Sequence, residues 1–135
     1  MTYFDTSILV YFTIDQGKGH FDLAQQYVFE AVKSETFVIS PLVLSEYIFV
    51  LSKMKILDQH HKKVDFFAQY VTGEVDQDTL IQAYYLCRSI DFCHNINDAI
   101  HLKLAEHHCE RIVTFDRDFR RFTSQTDLPI EVLAP

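Results

Sequence analysis

Tryptophan is absent from this chain of 135 residues, and glycine, proline and cysteine occur three times each. So little glycine and proline excludes the low-complexity classes that those residues dominate, and no internal repeat is visible. Long apolar runs are missing too. None approaches the ~20 residues that a membrane-spanning helix needs, and no basic-apolar leader opens the chain. A cytoplasmic protein with no membrane attachment is the expectation. Cys87, Cys93 and Cys109 are odd in number and lack paired metal-ligand spacing, which reads as free thiols in a reducing cytoplasm. Positive charge is also short, with 12 Lys and Arg against 19 Asp and Glu and a net charge of −7. This disfavours a protein that coats nucleic acid by neutralising phosphates with Lys and Arg. It leaves open an enzyme that approaches nucleic acid through metal ions.

The chain does carry a globular composition: 48% of it is apolar, with 12 Phe and 7 Tyr, enough for one domain around one core. Strand and helix signals alternate along it. That pattern predicts a single α/β domain with a mainly parallel central sheet and helices on both faces. Thr2-Tyr3-Phe4 reads as the first strand, stopping at Asp5, and Thr6 to Val10 turn into a short helix. Gly17-Lys18-Gly19 follows no strand and is closed by no Lys-Ser/Thr pair, so it is a turn rather than a phosphate cradle. Phe21, Ala24, Val28 and Ala31 fall at helical spacing, and Thr36 to Ile39 form a short buried strand. Ser40-Pro41 starts a helix that runs to about Lys55, with Ser as cap and Pro in the first turn.

Further along, Asp58 is expected to cap a helix with Val64, Phe67, Ala68 and Val71 on one face. Gly73-Glu74-Val75 is expected to be a very short strand. Asp76 caps a helix whose inward face carries Leu80, Ala83, Tyr84, Cys87 and Ile90, and Asn97 caps another that runs to about His108. Arg111 to Phe115 is the clearest strand, and Leu128 to Leu133 supply an edge strand that tolerates Pro129. Phe66, Phe67, Tyr70, Tyr84 and Tyr85 exceed what one buried face per helix needs; core packing or a homodimer interface would account for them.

Four acids stand out by position. Asp5 ends the first strand, where the carboxyl edge of a parallel sheet opens a ligand crevice; Asp is equally at home as a helix cap. Glu46 has Leu42, Val43, Phe49 and Val50 one turn away, so it projects from an apolar stripe. A buried lone carboxylate needs a partner or a metal, while a position at the stripe's edge would leave it in water. Asp98 lies in a first helical turn, where the helix dipole favours an acid. Asp116 ends the clearest strand. Together the four would converge on one sheet edge, repel one another and call for a divalent cation. Oxygen ligands point to Mg²⁺ or Mn²⁺ rather than Zn²⁺. Such ions activate water and stabilise charge on a phosphoryl group. No nucleophilic Ser–His–Asp or Cys–His arrangement is required, and none of the 7 histidines is expected to be a ligand. Arg117, Arg120 and Arg121 either hold a phosphate or form a solvated basic face.

The run Tyr3-Phe4-Asp5-Thr6-Ser7, the Ser45-Glu46 pair, Asn97-Asp98-Ala99-Ile100-His101 and Thr114-Phe115-Asp116-Arg117-Asp118-Phe119 resemble, in this order, the motifs of PIN-domain ribonucleases. The likeness is strongest to the small VapC-type toxins of toxin–antitoxin pairs. It implies one PIN-like domain over residues 1–135 and cleavage of RNA phosphodiester bonds with Mg²⁺ or Mn²⁺. By this resemblance Asp5, Glu46, Asp98 and Asp116 are the acidic catalytic and metal-binding set, with Asp5 and Asp98 the direct ligands. Thr6 and Thr114 would orient a carboxylate or water. Asp118 could join the four acids as an auxiliary acid; the expectation is that it caps the turn before Phe119. A VapB-like antitoxin, an RNA substrate and a homodimer are the implied partners. Two other readings fit an α/β fold with acids at strand ends: a non-catalytic RNA- or protein-binding module, and a phosphoacceptor receiver domain. The receiver should show an adjacent acid pair after the first strand and a lysine after the last, and neither is evident.

Overall fold

A computed structural model describes residues 1–135. Four parallel strands form one sheet in the order β2-β1-β3-β4, with β1 at Thr2–Phe4, β2 at Phe37–Val38, β3 at Arg111–Thr114 and β4 at Ile130–Val132. Parallel neighbours need crossover connections, and the helices supply them: α1 (Thr6–Thr13), α2 (His20–Lys33), α3 (Pro41–Lys53), α4 (His61–Ala68), α5 (Gln77–Ser89) and α6 (Ile96–His108). Short 3₁₀ turns occupy Asp58–His60, Cys93–Asn95 and Arg117–Gln125. Successive side chains of a strand point to opposite faces. Tyr3, Phe4, Ile112 and Val113 are nevertheless all buried, so helices cover both faces of the two central strands.

Local sequence explains most boundaries. Ser40 caps α3 by accepting from the Val43 amide at 3.2 Å, and Pro41 fills the first position, where its missing N–H costs nothing. Asp76 caps α5 by accepting from the Thr79 amide at 2.8 Å. Pro129 lies just outside the edge strand β4, and its carbonyl still accepts from Ile112. The largest aromatic group centres on Phe67, which is 0% exposed. Its ring lies 5.3 Å from Phe12, 5.5 Å from Tyr47, 5.4 Å from Phe66 and 5.8 Å from Phe37 between centroids.

Several expectations need correction. Gly73-Glu74-Val75 is not a strand. These residues are exposed, Gly73 sits at φ +79, and the sheet edge beyond β2 is met instead by a single bridge from Ile39 to Val71. Asp58 opens a 3₁₀ turn and its side chain caps nothing. The inward face of α5 is Thr79, Ala83, Leu86 and Cys87, while Leu80 and Tyr84 face out with Ile81 and Tyr85. Ala83 and Cys87 are thus on the expected face, whereas Leu80 and Tyr84 are not, which rotates the buried stripe toward Thr79 and Leu86. The aromatic surplus splits in two: Phe66, Phe67 and Tyr70 join the core, and Tyr84 and Tyr85 remain exposed. Asn97 does not cap α6; Asn95 holds that position, without a side-chain capping bond, and Asp98 stays in the first turn.

The burial contrast predicts a stability contrast. Phe67→Ala is expected to cost about 3–5 kcal/mol, and Tyr85→Ala on the exposed face of α5 no more than about 0.5 kcal/mol. Urea unfolding of the two variants beside the parent, at unchanged m value, measures both. Equal losses would contradict the packing around Phe67.

Candidate active site

The site begins where β1 and β3 end side by side. Beyond the strands the pairing continues once, from the Asp5 amide to the Val113 carbonyl at 3.0 Å. Asp5 stands at the position before α1, but its side chain caps nothing. Its Oδ2 instead accepts from Thr114 Oγ1 at 2.8 Å and from Ser7 Oγ at 2.9 Å. The same two hydroxyls accept backbone amides: Phe115 N–H donates to Ser7 Oγ at 3.0 Å and Asp116 N–H to Thr114 Oγ1 at 2.9 Å. Two short side chains thus lace the turn after β1 to the turn after β3. Asp5 is only 5% exposed, so a carboxylate there needs these donors.

Glu46 reaches the same edge from α3. It is half-buried, and every oxygen is bonded. Oε1 accepts from Thr6 Oγ1 at 2.6 Å and lies 2.6 Å from His101 Nε2, and Oε2 accepts from Asn97 Nδ2 at 3.0 Å. Glu46 is therefore neither alone on an apolar stripe nor free in solvent. Thr6 serves Glu46 and Thr114 serves Asp5. His101 is 1% exposed. Its Nδ1 lies 2.7 Å from the Tyr3 hydroxyl, which in turn lies 2.7 Å from Ser40 Oγ. His101 Nε2 is also 3.8 Å from Asp5 Oδ1, so one imidazole stands between two of the acids.

Asp98 projects from the first turn of α6, and Asp116 follows β3. Asn95 Nδ2 lies 3.4 Å from both Asp98 Oδ2 and Asp118 Oδ2. Asp116 Oδ1 accepts from the Asp118 amide at 2.9 Å, which makes Asp116 the turn cap and leaves the Asp118 side chain at the margin.

The charges of these groups act on one another. Burial pushes the Asp98 carboxyl up, and Asp5 and Asp116 add to it, to about 7. Asp116 is raised by burial and by its neighbours Asp118 and Asp5, although the Asp118 amide works against that rise. Glu46 goes the other way. Burial raises it, but the bonds from His101, Thr6 and Asn97 outweigh burial and hold it below the usual range. Burial lowers His101, and the facing carboxylates overcome this and raise it. Each of Glu46 and His101 thus favours the charged form of the other. No Lys or Arg pairs with any of the four acids; the Lys, Arg and N-terminal ion pairs all lie elsewhere. Arg117, Arg120 and Arg121 are exposed on a 3₁₀ turn rather than an α-helix. The Arg121 guanidinium sits 4.2 Å from the centroid of Phe92.

No three His, Cys, Asp or Glu side chains stand in a ligating arrangement. Glu46 is turned to its three donors, and Asp5 gives one oxygen to two hydroxyls. The donor chemistry and the charge do fit a hard divalent cation: carboxylate oxygens, four acids against one imidazole, and no Lys or Arg to offset them.

Sequence reasoning singled out the four acids and both threonines. It did not find Ser7, His101, Asn97 or the Tyr3 hydroxyl. Spacing held a signal for His101, which follows Asp98 by one helical turn and so shares its face. Ser7 carried none, because its role depends on a residue at separation 108.

The PIN domain family model matches residues 2–124, a span that includes all four acids and their hydrogen-bonding partners. The chain belongs to the PIN domain family. Members of this family are generally nucleases. No curated protein sequence matches the chain. The receiver-domain alternative falls with this assignment. Of the PIN domain's four strands, only the edge strand β4 lies beyond the matched span.

Asp98 gives this PIN domain a pH signature. An ordinary Asp titrates near 3.8 and Asp98 near 7, so the folded state binds that proton more tightly than the unfolded chain. Ionising Asp98 therefore costs stability. The cost is absent below about pH 4, grows as pH rises, and is complete above about pH 7. In chelator, the melting temperature of Asp98→Asn minus that of the parent should be small at pH 4 and climb to a plateau above pH 7. A difference that does not change with pH would take Asp98 out of the cluster.

Proposed function

We propose that this PIN domain is a metal-dependent ribonuclease that hydrolyses RNA phosphodiester bonds, and that it acts as the toxin of a VapBC-type toxin–antitoxin pair. The observation that carries the reading is the acidic cluster at the carboxyl edge of the sheet, assembled from four separate elements with no Lys or Arg to balance it. Such a cluster is unfavourable by itself, and residues of this kind are retained where a cation is to be bound.

Asp5 and Asp98 are the direct ligands in this reading, with Glu46 and Asp116 completing the set for Mg²⁺ or Mn²⁺. When bound, the ion supplies activation of water and offsets charge on the phosphoryl group. The protein's own part is positional. Ser7 and Thr114 fix the rotamer of Asp5. Thr6, Asn97 and His101 fix Glu46, and Tyr3 fixes His101 from behind. These bonds restrict how far Asp5 and Glu46 can turn and keep both at the same sheet edge. Arg117 and Arg120 supply phosphate contacts for the RNA; Arg121 is partly engaged on Phe92. An antitoxin would cover the acidic edge with an Arg or Lys in place of the cation.

Four measurements test the proposal. Asp5→Asn and Asp98→Asn should each reduce RNA cleavage at least 100-fold, an order-of-magnitude expectation for losing a ligand charge, while circular dichroism stays that of the parent. EDTA should abolish parental cleavage and Mn²⁺ restore it. Cleavage that survives chelation would refute the metal mechanism, and no cleavage under any metal would favour a non-catalytic binding module. Mn²⁺ should also raise parental stability by roughly 2.7 kcal/mol at a hundredfold excess over Kd, and raise Asp98→Asn by less. Finally, expression alone should slow growth and co-expression with the antitoxin should relieve it. Normal growth at high levels of active protein would point to a housekeeping nuclease.

A further inference from the structure

Cys87 lies in the last turn of α5 and is 0% exposed, while Cys93 opens the 3₁₀ turn ahead of α6 and is exposed. Their sulfurs are 2.8 Å apart. A bonded pair stands at about 2.05 Å, so closing the gap needs only a small side-chain movement. The intervening chain is already folded back to hold the thiols together. Asp91 takes a left-handed φ of +52, and the Phe92 amide donates to the Cys87 carbonyl at 2.7 Å. Phe92 is itself buried, with its ring 5.9 Å from that of Phe122 and Arg121 over its face. The loop is thus pinned on both sides of the contact. Cys109 stands apart, half-buried at the far end of α6, and no thiol partner faces it.

We propose that Cys87 and Cys93 are an oxidation site at which a hydroperoxide, hydrogen peroxide in the simplest case, converts the two thiols to an intramolecular disulfide tying the end of α5 to the entry of α6. Exposure decides the order of events. The Cys93 thiolate meets the peroxide, and its sulfur attacks one oxygen as the O–O bond breaks. The products are a sulfenic acid on Cys93 and hydroxide, which takes up the proton that Cys93 lost and becomes water. Cys87 then attacks the Cys93 sulfur. The S–O bond breaks, and the hydroxyl leaves with the Cys87 proton as a second water. Both sulfurs are oxidised and the peroxide is reduced. Burial and the adjacent sulfur push the Cys87 thiol up to about 11, which suits the partner that waits protonated rather than the one that captures oxidant.

The consequence for the fold is local. The tied turn, Cys93–Asn95, is the segment that places Asn95 against Asp98 and Asp118. The disulfide would therefore restrain the entry of α6 at the acidic edge. The oxidation itself does not rest on the nuclease reading, and its test does not use activity.

The full chain is treated with hydrogen peroxide, quenched, and compared with untreated protein by intact mass, thiol titration in denaturant and peptide mapping. The expected result is a monomer lighter by two hydrogens, with its three free thiols reduced to one, a crosslinked peptide joining Cys87 to Cys93, and full reversal by dithiothreitol. Cys93→Ser, an exposed change that spares the core, should abolish the mass loss; Cys109→Ser should retain it. Oxygen gain without loss of hydrogen, a link through Cys109, or a link between two chains would each overturn the proposal.

Discussion

The two central strands lie in parallel register, Thr2 opposite Arg111 and Phe4 opposite Val113, and the acidic edge depends on that pairing. It puts the turn after β1 beside the turn after β3, so that Asp5 meets Thr114 across a sequence separation of 109. A slip of one residue would send every side chain of β1 to the opposite face. Tyr3 would then leave His101, and Asp5 would leave its two hydroxyl donors. The register is secured by burial on both sides, since Tyr3, Phe4, Ile112 and Val113 have no solvent-facing alternative. Core packing and site geometry are therefore the same constraint.

Within that frame the acids fall into two kinds. Asp5 and Glu46 are saturated with donors, from Ser7 and Thr114 in one case and from Thr6, Asn97 and His101 in the other. Asp98 and Asp116 have weaker company and both hold protons more tightly than usual. The difference follows from position. Asp5 and Glu46 are set where helices and strands supply hydroxyls and an imidazole, whereas Asp98 meets one amide at 3.4 Å, and the repulsion from Asp5 and Asp116 outweighs the pull of His101. Negative charge is most poorly compensated at Asp98, and in the proposed nuclease that is where a cation would relieve the most repulsion.

His101 has a double part in this arrangement. It closes a buried chain from Ser40 through Tyr3 to Glu46, and it is the one basic side chain that faces the cluster. A buried contact of this kind between a base and an acid is weak support for stability, because desolvation offsets much of the attraction. Its clearer effect is to fix the direction of Glu46. In the proposed oxidised form, a Cys87–Cys93 link would restrain the entry of the same helix from outside the cluster.

Much of this was legible in the chain itself. Alternating strand and helix signals determined an α/β fold, because helical and strand periodicities are local. Ser40-Pro41 and Asp76 announced their helices, since capping is also local chemistry. The acids Asp5, Asp98 and Asp116 could be picked out by their places at strand and helix ends, and Glu46 by the apolar residues one helical turn to either side of it. Other features were decided only by tertiary structure. Ala83 and Cys87 lie on the inward face of α5 as their spacing suggests, but Leu80 and Tyr84 face out, and Thr79 and Leu86 are buried in their stead. Asn97 has the composition of a cap but spends its amide on Glu46, a residue at separation 51. The strand expected at Gly73 does not form, and the bridge at Val71 takes its place. Ser7, Tyr3 and His101 acquire their roles from partners 37 to 108 positions away. Sequence fixes what each residue can donate or accept. Which partner it meets depends on how the strands and helices bring distant residues together, and no local pattern encodes that.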